Sequence, residues 1–390
     1  MKDYRKCTAA VLGATGSVGR QAVDALTALG IRITLITAGN NIEELLRQAK
    51  ICSPDMVAVS NSSDAENLRN TLSCKVYGGE NAVCDAVREC GADLIVHSVS
   101  GMAGIPSALA AAETGARIAM ANKEAIISAG HLIYERLSRS GGELIPVDSE
   151  HSAIFQCLTA QGAARLSSPA DSSSVRRILL TASGGPFFGR TREELENVTP
   201  QMALAHPTWK MGKKITVDCA TLMNKGFELI EACRLFGVTP EKVEVLVHRQ
   251  SIIHSMVEYT DGAVIAEMSY PDMRDCVRYA LTYPERAPFG GEPLDFAELG
   301  TLTFDRPDRT AFPLLSCAEK AWYMGGTAPA SLIAADEEAV SAFLGGALSF
   351  NGIADSVMKV LEKVTVRDAS SIDGIYAAER EAREIFHTLY

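Results

Sequence analysis

The side chains best suited to chemistry lie in the segment 206–228, HPTWKMGKKITVDCATLMNKGFE. It holds an imidazole, an indole, four lysines, an amide and a carboxylate within one short stretch. Its second half predicts a helix over 219–236, on which Glu228 lies four residues after Asn224 and three after Lys225. The three side chains can therefore share one helix face. An amide, an ammonium and a carboxylate that converge beside a loop are suited to metal-assisted chemistry on an anionic substrate.

A second group of carboxylates follows an apolar, strand-like run at 143–147. Asp148 and Glu150 are two residues apart, so in an extended chain both side chains point to the same side. Neighbouring carboxylates raise each other's pKa unless a cation lies between them, and Mg²⁺ or Mn²⁺ prefers such oxygen ligands. Glu228 would be the third ligand. The spacing leaves open that Asp148 only caps the following helix and that Glu150 is solvated.

The third candidate site is the turn GATGSVG at 13–19, between a predicted strand and a predicted helix. Glycines at such a turn allow backbone amides to approach a pyrophosphate at the helix N-terminus. The spacing differs from the strict G-x-G-x-x-G, so a plain tight turn is the alternative. The second strand ends at 37–41 without an acid before Glu43. This end favours NADP over NAD, because NAD enzymes usually carry an acid there for the ribose.

Five motifs occur in order along the chain: GATGSVG at 13–19, ANKE at 121–124, PVDSEHS at 146–152, TASGGPF at 181–187 and the segment 206–228. Together they resemble the 1-deoxy-D-xylulose 5-phosphate reductoisomerase family, and the resemblance runs the whole length. It implies an NADPH- and divalent-metal-dependent enzyme of the non-mevalonate isoprenoid pathway. Such an enzyme rearranges 1-deoxy-D-xylulose 5-phosphate by a retro-aldol/aldol step and reduces the resulting aldehyde to 2-C-methyl-D-erythritol 4-phosphate.

The resemblance also implies roles for individual residues. The metal (Mg²⁺ or Mn²⁺, with Co²⁺ as a further option) would bind Asp148, Glu150 and Glu228, with Lys123 as a further catalytic residue. Substrate contacts are expected from Lys123, Ser149, Glu150, Ser183, His206, Trp209, Cys219, Asn224, Lys225 and Glu228. Cofactor contacts are expected from Thr15, Gly16, Ser17, Val18, Gly39, Asn40, Asn41, Asn122, Glu124 and Gly212. A mobile lid is expected at 184–214, where Trp209 and Met211 would close over the ligand.

Two residues depart from the family's pattern. Asn40 stands where a basic residue is common, which bears on the strength of the preference for the 2′-phosphate. Cys219 stands where the family has a serine that is expected to contact the substrate phosphate, and a thiol is a weak hydrogen-bond donor.

For several of these residues a purely structural role is the alternative to a role in binding or catalysis. Asn122 could serve only as a helix cap, and Trp209 could be a core anchor, although its proline, lysine and glycine neighbours do not look like core. His248 and His254 are interpreted as structural histidines with satisfied hydrogen bonds. Capping or solvated roles are expected for two acids near the site helix, Asp218 and Glu231.

The amino-acid composition limits the classes of function that this protein can have. An apolar content of 47% and a charged content of 22% are those of an ordinary globular protein. The net charge of −11 argues against a nucleic-acid partner, because phosphate polyanions would be repelled. A small phosphorylated sugar remains a suitable substrate, since positive charge is concentrated locally at Lys210, Lys213, Lys214 and Lys225.

The ten cysteines form no C-x-x-C pair, which argues against a zinc ribbon and favours reduced thiols. No apolar run approaches the length of a membrane span, and no signal or transit segment is visible. These features predict a cytoplasmic protein, or an organelle protein of plastid type if a transit segment was removed. From the resemblance we expect a homodimer.

The chain predicts an α/β protein in three parts. Residues 1–147 alternate strands and helices, which predicts a doubly wound, Rossmann-like parallel sheet that binds NADPH. Residues 148–282 read as an α+β catalytic and dimerisation domain, with a hairpin turn at Asp261 and Gly262. Residues 283–310 are rich in proline and glycine and read as a linker. Residues 311–390 predict a helical domain.

Two other classes of function share some of these features. Semialdehyde dehydrogenases also open on a Gly-x-x-Gly-x-x-Gly turn, but they need an activated cysteine, for which Cys157 and Cys219 are the candidates. A non-catalytic NADP-sensing module would need neither the three carboxylates nor a lid. Sensitivity to EDTA distinguishes the metal enzyme from both.

Overall fold

The computed structural model describes residues 3–207, 209, 211–288 and 291–390. Its N-terminal part contains a parallel sheet of seven strands. The strands are β1 (Thr8–Leu12), β2 (Arg32–Ala38), β3 (Met56–Val59), β4 (Lys75–Gly78), β5 (Leu94–His97), β6 (Arg117–Met120) and β7 (Glu143–Pro146). Their order is β4-β3-β2-β1-β5-β6-β7, with the topology reversing at β1. This confirms the doubly wound sheet. Its central strands are buried apolar runs, as a sheet covered on both faces requires.

Six helices connect these strands: α1 (Ser17–Ala28), α2 (Ile42–Cys52), α3 (Ser62–Arg69), α4 (Ala82–Glu89), α5 (Ile105–Glu113) and α6 (Lys123–Ser140). The sequence pattern did not predict β4 or α3, and it left α6 open as the helix that Asn122 could cap. Strand β4 is an edge strand with only Val76 buried, so its apolar signal is weak. Helix α6 begins at the residue after Asn122, whose side chain caps it.

The central part adds α7 (Ser149–Thr159), β8 (Val175–Ala182), α8 (Pro200–Ala203), α9 (Lys213–Ala220), α10 (Met223–Phe236), β9 (Val243–Val247), β10 (Ile253–Tyr259), β11 (Val264–Met268) and α11 (Met273–Thr282). Its four strands form a sheet in the order β11-β10-β8-β9. Strands β10 and β11 pair antiparallel, so the predicted hairpin at Asp261 and Gly262 is present. Helix α7 packs against β10 and β11 and covers one face of this sheet.

The C-terminal part is helical: α12 (Phe296–Leu299), α13 (Leu314–Met324), α14 (Ala328–Leu344), α15 (Phe350–Lys363) and α16 (Ile372–Leu389). Helix α13 packs against α10 so closely that a Cβ atom on Gly226 would lie 2.8 Å from the Ala318 methyl group. The segment predicted as a linker contains α12, and Asp305 pairs with Val247 at the end of β9. The domain boundaries at 147, 282 and 310 stay predictions. Among the described residues, no helix combines the length and apolarity that crossing a membrane requires.

The single helix predicted over 219–236 is wrong. The chain forms α9 and α10, which are separated by Leu222 in the left-handed conformation with φ of 60°. Asp218 therefore lies inside α9 and is not a helix cap. Apolar spacing could not reveal this break, because Leu222 and Met223 are both buried and fit a continuous pattern.

Candidate active site

A cavity of about 950 Å³ opens at the carboxyl ends of the central strands of the parallel sheet. The turn after β1 and the starts of α6, α7 and α11 line it, together with α9, α10 and the residues that follow β8. Ligands of doubly wound sheets bind at this edge, where the strand order reverses. The cavity brings together sixteen of the predicted site residues: Gly16, Ser17, Val18, Asn122, Lys123, Glu124, Asp148, Ser149, Glu150, Ser183, Trp209, Gly212, Cys219, Asn224, Lys225 and Glu228.

Three carboxylates meet in the middle of this cavity. One oxygen each from Asp148, Glu150 and Glu228 lies within 4.8 Å of the other two. Asp148 is the N-cap of α7, Glu150 lies in its first turn, and Glu228 comes from the second turn of α10. Three oxygen ligands at this separation are the donor set that Mg²⁺ or Mn²⁺ prefers. The residues therefore fit the predicted metal, and Asp148 serves as a helix cap at the same time.

Two lysines lie between these carboxylates. The ammonium of Lys123 is 2.7 Å from Asp148 Oδ2 and 3.1 Å from Glu228 Oε1. The ammonium of Lys225 contacts Glu228 and lies 3.4 Å from Glu150 Oε1. Both lysines are almost fully buried, as are Asn224 and Glu228. The ammonium groups thus neutralise acids that burial would otherwise protonate.

The neighbours set the protonation of these groups. Burial would lower the pKa of Lys123, but Asp148 and Glu228 raise it well above its usual value. Burial would raise the pKa of Asp148, yet Lys123 and His151 hold it well below its ordinary range. Burial raises the pKa of Glu150 to about 7, against the opposing charge of Lys225. Glu150 thus takes up a proton more readily than an ordinary carboxyl does.

A second acidic group lies directly behind the first. His151 Nδ1 is 2.9 Å from Asp148 Oδ1 and 3.5 Å from Glu231 Oε2, and its Nε2 is 2.9 Å from the Glu228 carbonyl. Burial would lower the pKa of His151, but Glu231 and Asp148 raise it to about 9. The expected capping or solvated role of Glu231 is wrong, since its side chain is fully buried. Only the spacing of Glu231, three residues after Glu228, could have indicated this position.

The lid segment reaches the site through a chain of contacts. Ser183 Oγ lies 3.0 Å from His206 Nε2, and the backbone N–H of Trp209 donates to His206 Nδ1 at 3.0 Å. The Trp209 ring is 6.3 Å from the buried ring of His254. His206 thus joins the end of β8 to the lid, although it does not itself line the cavity. Of the predicted lysine cluster, Lys210 lies outside the described residues.

Cys219 lies at the end of α9, next to the turn that follows β8. A Cβ atom on Gly185 would lie 2.7 Å from the Cys219 carbonyl oxygen, so the turn and the helix are in close contact. Burial raises the pKa of the Cys219 thiol. A thiol held neutral in this way is a poor nucleophile.

The cofactor end of the cavity is formed by the glycine turn. A Cβ atom on Gly19 would lie 2.1 Å from the Gly13 carbonyl oxygen, so α1 can start here only with glycine. The exposed N-terminus of α1, at Gly16 and Ser17, faces the cavity. Such a terminus with its free N–H groups is suited to a pyrophosphate.

Other predicted cofactor residues have different surroundings. The Asn122 side chain donates to the carbonyls of Val99 and Gly101, at 2.5 and 2.9 Å, and accepts from Ala125 N–H. Its capping role is therefore present, and it also holds the loop after β5 against the cavity. Four predicted contacts do not line the cavity: Thr15, Gly39, Asn40 and Asn41. The Asn41 side chain caps α2.

Several lining residues were not predicted. They come from the loop after β5, from the start of α11 and from α14, and they are Ser98, Val99, Ser100, Gly101, Pro271, Asp272, Met273 and Glu337. Long-range packing brings them here, and neither motif nor spacing carries that information. The structural interpretation of His248 is confirmed by its contacts with Thr303 and Ile252. Asp218, expected to be a cap or solvated, is buried.

Comparison with known proteins gives a consistent result. Sequence models of 1-deoxy-D-xylulose 5-phosphate reductoisomerase match residues 9–130, those of its C-terminal domain match 144–236, and those of the DXP reductoisomerase C-terminal domain match 268–385. The chain is 45% identical to the 1-deoxy-D-xylulose 5-phosphate reductoisomerase of Aromatoleum aromaticum, covering 96% of this chain and 94% of that one. It is 44% identical to the enzyme of Pseudomonas aeruginosa, with 96% of each chain covered.

Solved structures agree with these relatives. The reductoisomerase from Zymomonas mobilis in complex with NADPH is 39% identical, with a TM-score of 0.90 and 98% of each chain covered. A DOX-P reductoisomerase in complex with NADPH, fosmidomycin and magnesium is 34% identical, with the same TM-score and coverage.

Proposed function

The chain belongs to the 1-deoxy-D-xylulose 5-phosphate reductoisomerase family, and we propose that the cavity described above is the site of this family's reaction. The chain is an NADPH- and divalent-metal-dependent enzyme that converts 1-deoxy-D-xylulose 5-phosphate to 2-C-methyl-D-erythritol 4-phosphate in isoprenoid biosynthesis. The observation that carries the assignment to the cavity is the meeting of Asp148, Glu150 and Glu228 beside the glycine turn. The semialdehyde dehydrogenase and the sensing module are not favoured.

The three carboxylates would hold the metal, Mg²⁺ or Mn²⁺. When bound there, the metal supplies Lewis-acid polarisation of the substrate's ketone and neighbouring hydroxyl oxygens. Lys123 remains beside these carboxylates as a buried, charged donor at 2.9 Å from Asn224 Oδ1. Lys123 and Asn224 together orient substrate hydroxyl groups next to the metal ligands. Because they come from two elements, α6 and α10, the substrate must fit between the sheet edge and α10.

The phosphate end of the substrate would lie toward the lid. Lys225 supplies charge there, and Ser183 and His206 supply hydrogen bonds from the end of β8 and from the lid. Two further substrate contacts are proposed: Ser149 at the start of α7 and Cys219 near the end of α9. Trp209 would cover the bound substrate and exclude water from the reacting carbonyl.

The N-terminus of α1 would bind the pyrophosphate of NADPH, and the cofactor supplies hydride. The proposed contacts outside the cavity, Thr15 and 39–41, lie on the side of the adenosine. Glu124 and Gly212, at the starts of α6 and α9, face the opposite end of the cofactor site. The cofactor would thus run along the sheet edge from β2 toward the metal ligands.

We also propose a homodimer that forms through the sheet of the central part. Its edge strand β11 is half exposed, with Val264 at 50% exposure and unpaired on one side in the described chain. An exposed edge of this kind is a template for pairing with another chain.

The ten cysteines are free thiols, which suits the proposed reducing cytosol.

The experiment that tests the function is a direct assay. Purified protein with 1-deoxy-D-xylulose 5-phosphate, Mn²⁺ and NADPH should consume NADPH, and EDTA should stop the reaction until metal is restored. The product should be identified as 2-C-methyl-D-erythritol 4-phosphate. NADPH consumption that persists in EDTA, or that needs no sugar phosphate, would contradict the proposal.

A further inference from the structure

A buried charge cluster joins the C-terminal helical part to the substrate cavity. Lys214, on α9, places its ammonium 2.7 Å from Asp218 Oδ2 and 2.7 Å from Asp336 Oδ2, and 4.7 Å from the centre of the Phe227 ring. Asp336 belongs to α14 and is completely buried, and Asp218 is 3% exposed. We call these four residues the Lys214 cluster. It connects α9, α10 and α14.

Helix α9 carries groups that face the substrate and cofactor. Gly212 is its N-cap and Cys219 lies near its end, and both line the cavity. Cys219 also touches the turn that follows Ser183. The helix has only eight residues, and the first two belong to the segment expected to form the lid. A helix this short depends on tertiary contacts for its position.

We propose that Asp336 is a positioning residue for the reaction: through Lys214 it holds α9, and with it the phosphate end of the cavity, in the place that binding requires. This inference rests on the proposed function of the cavity. It assigns a role in the reaction to a side chain of the C-terminal helical part that does not itself line the cavity.

The net charge of the cluster leads to an expected dependence of the reaction on pH. Two buried carboxylates and one ammonium would carry a net negative charge if both acids were ionised, and burial makes such a charge costly. Asp218 Oδ1 and Asp336 Oδ1 accept no hydrogen bond from any described residue. Burial and the neighbouring Asp336 raise the pKa of Asp218 well above its usual value. A proton on Asp218 makes the cluster neutral.

The surrounding charges act in the same direction. Glu124 on α6 and Glu337 on α14 both face Lys214, and Glu337 is paired with Arg383 of α16 at 2.5 Å. The thiol of Cys317 on α13 also faces Asp336. Additional carboxylates disfavour the loss of the proton from Asp218. As the pH rises and this proton leaves, the cluster becomes negative, and we expect the connection between α9 and α14 to weaken.

The test compares Asp336→Asn with Asp336→Ala in the full-length protein with Mn²⁺ and NADPH. Asparagine keeps the shape and removes the neighbouring charge that raises the pKa of Asp218, so this variant should retain the substrate KM at neutral pH and lose the rise in KM with pH that we expect of the natural protein. Alanine removes the contact with Lys214, so KM should rise about 10- to 100-fold, the size of effect that a misplaced group produces, with a smaller change in kcat. Asp373→Asn, an exposed acid of α16, is the matched control.

Two further measurements distinguish positioning from folding and from the proposed function. Thermal unfolding and the affinity for a phosphonate substrate analogue, measured without turnover, should show that Asp336→Ala is folded and binds the analogue more weakly. Unchanged analogue affinity in Asp336→Ala, or a rise in KM with pH that survives in Asp336→Asn or is absent from the natural protein, overturns the proposal. Absence of any turnover in the natural protein would instead contradict the proposed function.

Discussion

Lys123 and Lys225 show what single residues contribute to this site and how far the sequence could predict it. Residue type and spacing predicted that Asp148, Glu150 and Glu228 could act together. They could not predict that two ammonium groups lie among these acids, because contacts between α6, α7 and α10 are set by packing. For the same reason Glu231 was interpreted as a cap or a solvated acid, although it is buried against His151.

The carboxylate of Glu228 provides the sharpest test of the metal site. Glu228→Gln should lower metal affinity and turnover strongly, because one charged ligand is lost, while the fold and NADPH binding persist. Activity is measured over a range of Mn²⁺ concentrations, with circular dichroism and a cofactor titration as controls. Glu66→Gln, on exposed α3, should behave like the natural protein. Near-natural activity of Glu228→Gln at limiting Mn²⁺ would falsify the metal assignment.

The thiol of Cys219 tests the phosphate site. A hydrogen bond to a charged group contributes about 1.5–3 kcal/mol, so a weak donor could reduce phosphate binding by about 10- to 100-fold. Lys225, Asn224 and Ser183 compensate for part of this loss. Cys219→Ser should therefore retain turnover and keep or lower the substrate KM in steady-state kinetics. Abolished activity, with Cys74→Ser unaffected, would indicate a nucleophile instead.

At the scale of elements, the sequence pattern predicted regular strands and helices well, but it did not predict where a helix is interrupted. Apart from β4, the strands of the parallel sheet lie within one or two residues of the predicted apolar runs, because buried strands are short apolar segments between polar turns. Those runs are 8–12, 31–37, 55–60, 93–98, 117–121 and 143–147. The break between α9 and α10 was missed, since a single left-handed residue, Leu222, leaves no trace in apolar spacing. Helix α11 was also missed, although its first residues line the cavity.

The end of β2 bears on the choice of cofactor. Asn40 is exposed there, and the nearest acids lie in the first turn of α2, where Glu44 is paired with Arg47. NADPH should therefore give a higher kcat/KM than NADH. Asn40→Arg should widen the preference by adding a cation for the 2′-phosphate, while Asn70→Arg, at the end of α3, should not. Equal catalytic efficiency with both cofactors in the natural protein would contradict this prediction.

If the segment 184–214 forms a lid, we expect the fluorescence of Trp209 to report its closure. Trp209 is only partly buried and rests near His254, so its surroundings should change when the lid closes over a ligand. In a Trp322→Phe background, which removes the second indole, fluorescence should change on addition of metal and a phosphonate substrate analogue. An unchanged spectrum at saturating ligand would mean that Trp209 is a static anchor.

At the scale of the whole molecule, the cavity lies where all three parts of the chain meet. The parallel sheet supplies one side of the cavity, and the central part supplies α9, α10 and the segment expected to form the lid. Helix α14 supplies Glu337, which lines the cavity, and Asp336 of the Lys214 cluster. Composition and element order predicted the three parts. They could not predict that the C-terminal helices reach the cavity, because that contact depends on the packing of α13 and α14 against α10 and α9.

The proposed homodimer predicts a change in mass. In analytical ultracentrifugation the protein should sediment at twice the mass of one chain. Val264→Arg, at the exposed first residue of β11, should shift it toward the monomer by placing charge in the interface. Val366→Arg, another exposed valine in the C-terminal part, is the matched control. A monomer at all concentrations would refute the proposal.

The two lysines among the carboxylates have a consequence for the sequence of binding events. With all three acids ionised, three negative and two positive charges leave the pocket with one excess negative charge, which repels a sugar phosphate. A divalent ion reverses the sign to one excess positive charge. The pocket then attracts the phosphate that it previously rejected. Metal bound to the three carboxylates would thus favour the binding of the sugar phosphate that follows it.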